Sequence, residues 1–125
     1  MQSALIWVVG EALIDLLPGG NPVVGGGPAN TAKAIAALGI PTCFVGGISI
    51  DRYGELIVSE LSEFGVNLDL VNKSNLRTAR AIVTLVESGA ATYQFELVNT
   101  ATFNFGDWLR YFCEFEHTGK SGLYS

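Results

Sequence analysis

The sequence predicts an α/β fold, a doubly wound and mainly parallel sheet carrying a small antiparallel β insert. Three observations predict it. Strand-length apolar runs alternate with amphipathic helical stretches through the first half of the chain, the connections between them are short, and two β-prone runs then follow one another across a Gly-containing turn. Alternation with short links favours parallel strands with right-handed crossovers. Two adjacent β-prone runs favour a hairpin.

Each element follows from its residues. Ala4 to Val9 is a continuous apolar run closed by Gly10, which suits a strand buried on both faces. Pro18 to Pro28 is rich in Gly and Pro and reads as loop. A helix begins at Pro28, which is tolerated in a first turn because the missing N–H had no helical partner there. Ala29, Ala32, Ile35 and Leu38 recur at three-residue steps, a stripe small enough to approach a sheet closely. Gly39 ends the helix and Pro41 prevents its continuation. Cys43 to Ile48 reads as a second buried strand. Asp51 opens a second helix with Tyr53, Leu56, Ile57, Leu61 and Phe64 on one face and Gly65 as its stop. Val66 to Val71 gives a third strand.

Ala79 to Val86 and Ala91 to Leu97 form the hairpin across Glu87 to Ala90. Tyr93, Phe95 and Leu97 share one face, opposite Thr92, Gln94 and Glu96. Trp108, Tyr111, Phe112 and Phe115 have helical spacing before a polar tail.

Composition bounds the function. The 125 residues suffice for one domain, with 49% apolar and only 15% charged residues, against ~25% charged in an average protein. Glycine is 15 of 125, well above the ~7% average, so several backbone positions need unusual dihedrals. Net charge is −5 without any Lys/Arg cluster, which argues against nucleic acid or an anionic membrane as partner. No apolar run approaches the ~18 residues of a membrane span, and the N-terminus lacks the basic start of a signal peptide. Cys43 and Cys113 show no metal or redox spacing, so reduced thiols in a cytoplasmic chain are the expectation.

Two stretches could carry chemistry. Gly25-Gly-Gly-Pro-Ala-Asn30 combines glycines that admit close approach with a helix start whose free N–H groups point outward. It is either a ligand loop or simply a turn. The dinucleotide pattern fails because Asn30 stands where its last glycine belongs. Gly119-Lys-Ser121 is not a phosphate loop either, because Glu114 occupies the required first glycine. Asp15 interrupts an apolar segment just past the first strand, where doubly wound folds place their ligand crevice. It is either a ligand contact or a solvated strand residue. His117 reads as a solvated tail residue, since no nucleophile or orienting partner accompanies it.

Glu11-Ala-Leu-Ile-Asp15 together with Gly25-Gly-x-x-Ala-Asn30 resembles the N-terminal half of the ribokinase-like (PfkB) carbohydrate kinases, particularly the fructokinase branch. Phe44-Val-Gly46, Asp51-x-Tyr-Gly54 and Arg77-Thr78 agree with that family, and the likeness runs from residue 4 to about residue 109. Ser49-Ile50 departs from it, since family members usually carry Gly-Asp there.

The resemblance implies a ribokinase-like fold with a β lid built from about residues 12–24 and 79–98, and a divergent tail over residues 110–125. It implies that Asp15, Gly26, Gly27 and Asn30 hold sugar hydroxyls, with Phe95 either facing the sugar or packing within the lid. It further implies phosphorylation of fructose or a similar sugar with ATP and Mg2+, and a homodimer paired through the lid sheet. The family's catalytic Asp belongs to a Gly-Ala-Gly-Asp motif that does not occur among these residues, nor does its Asn-x-x-Glu motif. The expectation is therefore a truncated kinase domain, without a catalytic or metal-binding residue of its own and inactive alone. The alternatives are a non-catalytic sugar-binding or lid-pairing remnant, or a product without function.

Overall fold

A computed structural model describes residues 5–104; the expectations for Trp108 to Phe115, Cys113 and His117 lie outside the described residues. In chain order the elements are β1 (Ile6–Val9), β2 (Leu13–Leu16), β3 (Pro22–Gly25), α1 (Gly27–Ala37), β4 (Thr42–Val45), β5 (Gly47–Ser49), α2 (Arg52–Glu63), β6 (Asn72–Ser74), β7 (Arg80–Leu85) and β8 (Ala91–Glu96), followed by a 3-10 turn at Ala101–Phe103.

The parallel layer is built as the alternation requires. β1 pairs in parallel with β4, from Ile6 opposite Thr42 to Val9 opposite Val45, and β5 pairs in parallel with β6. The run expected to be one strand at Cys43 to Ile48 is thus two, bent at Gly46. That bend brings Gly46 against the Gly10 carbonyl and the Phe44 ring, too close for a side chain. Phe44, Ile48, Ile57, Leu61 and Ile14 are fully buried in one core with Ala29 and Ala32 of α1. Each large side chain there contributes about 1.5–3 kcal/mol of apolar burial.

Several expectations change. β1 is not buried on both faces: Leu5, Trp7 and Val9 are 50%, 44% and 48% exposed, and β4 is its only strand neighbour among the described residues. Val66 to Val71 is not a strand. It touches β4 through one bridge at Asn67, whose side chain then accepts the Asp69 amide and turns the chain away. Regular pairing resumes only in β6. On α1, Leu38 sits at the C-cap and is exposed, so the small-residue stripe reaches the core through Ala29 and Ala32. On α2 the buried line is Gly54, Ile57 and Leu61, while Leu56 and Phe64 lie outside it. Phe64 instead receives the Lys33 ammonium over its ring at 5.3 Å, and Lys33 also pairs with Glu60 at 2.6 Å.

The insert is a four-stranded sheet in the order β3-β2-β7-β8. Its outer pairs are antiparallel: β7 with β8, as the hairpin signal demands, and β2 with β3, although β3 lies inside the Pro18 to Pro28 stretch expected to be loop; its central pair, β2 with β7, is parallel. The two central strands leave the α/β layer side by side, at Ala12 and Thr78, and β3 and β8 return. Thr102 fastens the root of this sheet: its hydroxyl accepts the Ala12 amide at 3.0 Å, and the Ala101 amide donates to the Arg77 carbonyl at 2.8 Å.

Gly54 shows how tightly α2 is seated. A side chain there would strike the Ser49 carbonyl at the end of β5. Replacing glycine by alanine inside a helix gains up to ~1 kcal/mol, whereas overpacking costs about 1–3 kcal/mol. Gly54→Ala is therefore expected to lower stability by about 1–2 kcal/mol in denaturant unfolding, and an unchanged or raised midpoint would contradict the packing described.

Candidate functional site

Strand alternation decides which side chains can meet. Along β2, Ile14 points into the main core, so Leu13 and Asp15 take the opposite face of the insert sheet. The register places Asp15 opposite Val23 on one side and Ala81 on the other, and Ala81 opposite Phe95. Val23, Asp15, Ala81 and Phe95 therefore form one row across one face. Because Ala81 is small, Asp15 and Phe95 look at each other across two strand spacings, roughly 10 Å. Tyr93 lies two residues from Phe95 and stacks with it, ring centroids 6.2 Å apart. Leu13, Ala79 and Ala81 form a small buried cluster beneath, with Leu97 packed on it.

The glycines meet this row at its edge. Gly25 lies so close to Asp15 that a Cβ would fall 3.0 Å from the carboxyl carbon and closer still to one of its oxygens. Gly26 caps α1 with φ of 100°, a conformation that favours glycine, and its Cβ would come within 2.9 Å of the Glu11 carbonyl oxygen. Gly27 differs: nothing stands within 4 Å of where its side chain would begin. Asn30, in the first turn, donates its backbone N–H to the Gly26 carbonyl at 2.9 Å and keeps an exposed side chain. No side-chain oxygen caps this helix, which leaves the amides of its first turn available. Pro28 seats the turn by packing tightly on Gly10.

The structure thus brings Asp15, Gly26, Gly27 and Asn30 to one corner and puts Phe95 on the same face as Asp15. Neither the Asp15 carboxylate nor the Asn30 carboxamide has a hydrogen-bond or ionic partner among the described residues. Burial pushes the Asp15 carboxyl above the ordinary carboxylate value, and no described residue compensates for the lost water. The arrangement is a half-buried anion, free amides and a flat apolar ring, which suits a neutral polyhydroxyl ligand.

Sequence reasoning did not identify Gly10 as the seat of the helix start, nor Thr102 as the anchor of β2. Gly10 could have been found from its place opposite a Pro-initiated helix. Thr102, ninety residues from Ala12 in sequence, left no local signal.

Cys43 is buried and its thiol is pushed up by that burial, which makes it an inert core residue. Among the described residues no three His, Cys, Asp or Glu side chains converge in a way that could hold a metal ion. Two open concavities of about 480 and 560 Å³ run beside α2, lined by Ser49, Glu55 and Lys73 and by Pro22, Arg52 and Tyr53, among others. Neither includes a residue of the Asp15 row or of the α1 turn. Among the described residues the buried polar side chain lining them, Ser49, already accepts the Asp51 amide, so these clefts offer a ligand no unpaired buried group.

Asp15 also makes a pH prediction. Between its unfolded pKa of ~3.9 and its raised folded value, the native state binds more protons than the unfolded chain. The cost of burying the anion therefore grows as pH rises through the folded pKa and is absent below the unfolded one. Asp15→Asn is expected to raise the melting temperature at about pH 7 and to lose that advantage near about pH 3.5. Circular-dichroism melts at both values check this, and an advantage of equal size at both would refute the assignment.

Comparison with known proteins gives a consistent result. The model of the "pfkB family carbohydrate kinase" matches residues 5–109. The fructokinase of Escherichia coli is 32% identical over 123 residues, covering 86% of this chain and 40% of that protein. "Probable fructokinase-5" of Arabidopsis thaliana is 38% identical over 106 residues, covering 75% and 33%. The crystal structure of fructokinase with bound ATP from Xylella fastidiosa superimposes with a TM-score of 0.72 at 32% identity, covering 81% of this chain and 35% of that one. The chain therefore spans between a third and two-fifths of the length of these relatives.

Proposed function

Since this chain belongs to the pfkB family of carbohydrate kinases, we propose that it carries the sugar-binding part of a kinase that phosphorylates fructose or a similar sugar. The observation that carries this reading is the Asp15 carboxylate, without a partner among the described residues, lying over Gly25 beside the uncapped start of α1. A carboxylate accepts from two hydroxyls at once, so a vicinal diol supplies the hydrogen bonds that Asp15 lacks. The Gly26 and Gly27 backbone permits close approach, and the Asn30 carboxamide can both donate and accept. Phe95 offers a face for the apolar side of a sugar ring and, with Tyr93, helps exclude water once ligand is bound.

Kinases of this family use ATP, which supplies the phosphoryl group. These 125 residues contain no Gly-Ala-Gly-Asp motif, and the described ones offer Mg2+ no converging donor set. Phosphoryl transfer depends on placing the phosphate and neutralising its charge, so the chain by itself binds sugar without turning over ATP.

A second reading is favoured by one observation. Tyr93 and Phe95 are 60% and 58% exposed on an edge strand, β8, which suits pairing of two copies through the lid sheet. On that reading the chain is a sugar-binding, dimer-forming module in the cytoplasm.

Titration calorimetry of the purified 125-residue chain with fructose is expected to show binding. Asp15→Ala should weaken it at least roughly tenfold, the value of a lost charged hydrogen bond. Gly27→Ala should not lower the melting temperature but should impair binding, since no described atom stands within 4 Å of the added Cβ. A coupled assay should detect no ADP release. Full binding in Asp15→Ala would refute the site, and sugar-dependent turnover would refute the half-site reading.

A further inference from the structure

Asp51 does more than begin α2. As the N-cap, its Oδ1 accepts the Gly54 amide at 2.8 Å. The same oxygen accepts the Thr78 hydroxyl at 2.5 Å, and Oδ2 accepts the Thr78 amide at 2.9 Å. Both oxygens are thus engaged on Thr78, across twenty-seven residues of sequence. Burial alone would push this carboxyl up, but the bonds from Thr78 and Gly54, with a smaller share from Ser49, outweigh it and hold the group below the ordinary carboxylate value. Asp51 therefore stays ionised and grips Thr78 as an anion.

The grip continues into the candidate site. Thr78 is buried at the root of β7. The next residue, Ala79, accepts the Ile14 amide through its carbonyl at 3.0 Å, and Ile14 immediately precedes Asp15. One further pair along, Asp15 stands opposite Ala81. The path from Asp51 to Asp15 is therefore Thr78, Ala79 and Ile14, with no flexible side chain in it beyond the Asp51–Thr78 contact itself. The opposite side of the same root is tied by Ala12 to Thr102 and by Arg77 to Ala101. Asp51 accepts two hydrogen bonds that join this root to α2 of the α/β layer.

We propose that Asp51 is a positioning residue for the sugar site: by clamping Thr78 it sets β7 and β2 against the α/β layer and so holds Asp15 over the first turn of α1. The inference rests on the reading of Asp15 as a sugar ligand. A purely structural cap would stabilise α2 and leave the ligand affinity of the folded protein unchanged. A clamp changes affinity in the folded protein.

The test separates the two with four variants of the 125-residue chain. Asp51→Asn keeps an oxygen for the Gly54 amide but turns a donor toward the Thr78 amide. Thr78→Val removes the hydroxyl and leaves the cap untouched. Thr78→Ser keeps both Thr78 bonds. Val66→Ala loosens the core at the far end of α2, away from the root. Fructose affinity by calorimetry is expected to fall roughly tenfold in Asp51→Asn and Thr78→Val. It should be restored in Thr78→Ser and be unchanged in Val66→Ala, although the last lowers the melting temperature. Amide hydrogen exchange of Ile14 should accelerate in the first two variants relative to Val66→Ala.

Equal loss of affinity in Val66→Ala, or parental affinity in both clamp variants, overturns the proposal. If Asp51→Asn does not fold, Thr78→Val decides. If the parent chain binds no fructose, the sugar-site reading fails on its own. The clamp is then judged by Ile14 exchange, and unchanged exchange in Thr78→Val rejects it.

Discussion

The Asp51 carboxylate ties a helix of the α/β layer to the root of the insert sheet. One side chain caps α2, accepts both hydrogen-bonding groups of Thr78 and thereby ties the α/β core to the sheet that carries the candidate site. Charge-assisted hydrogen bonds are roughly twice as strong as neutral ones, so concentrating three on one anion makes the junction stiff for its size. The rest of the arrangement depends on that stiffness. β2 and β7 run in parallel with no hairpin between them, so their register has to be set from the root. Asp51, Thr102 and the 3-10 turn set it.

Stability is spent at the corner this junction supports. Asp15 is an anion partly withdrawn from water without a partner among the described residues, Gly26 has a positive φ, and Gly25 and Gly26 give up side chains to let other groups approach. None of these choices helps folding, and a core of Phe44, Ile48, Ile57 and Leu61 on the other side of β2 offsets them. Unpaired polar groups beside free backbone amides are what a binding site looks like before its ligand arrives. Asp51 and Asp15 make the contrast plain: both lose water, but Asp51 is compensated by four neighbouring groups and Asp15 by none among the described residues.

Much of this was legible in the residues. The glycine stops, Pro28, the Asp51 start and the turn at Glu87 to Ala90 are local signals, and the elements they delimit are present within a residue or two. The row of Asp15 and Phe95 was partly legible, because alternation puts Tyr93, Phe95 and Leu97 together, but the parallel pairing that brings Asp15 opposite Ala81 has no local signature. Burial was harder to read. An apolar run does not say how many neighbours it will have, so β1 reads as covered on both faces while its residues are half exposed among the described part of the chain. Val66 to Val71 departs from the expected strand for another reason: the Asn67 side chain competes with the strand ladder for the backbone amide of Asp69. Long-range anchors such as Thr78 and Thr102 are ordinary hydroxyl residues until the fold supplies their partners.

On the proposed reading, one corner, held by Asp51, presents Asp15, Gly26, Gly27 and Asn30 to a sugar. The most direct measurement is a two-dimensional amide NMR titration of the chain with fructose. Shifts are expected to concentrate at residues 15, 26, 27 and 30 and along the row at residues 81 and 95, with Ser49, Glu55 and Lys73 beside α2 unmoved. Saturable shifts confined to the α2 clefts, or no shift at the Gly26 and Gly27 amides at saturating sugar, would contradict it.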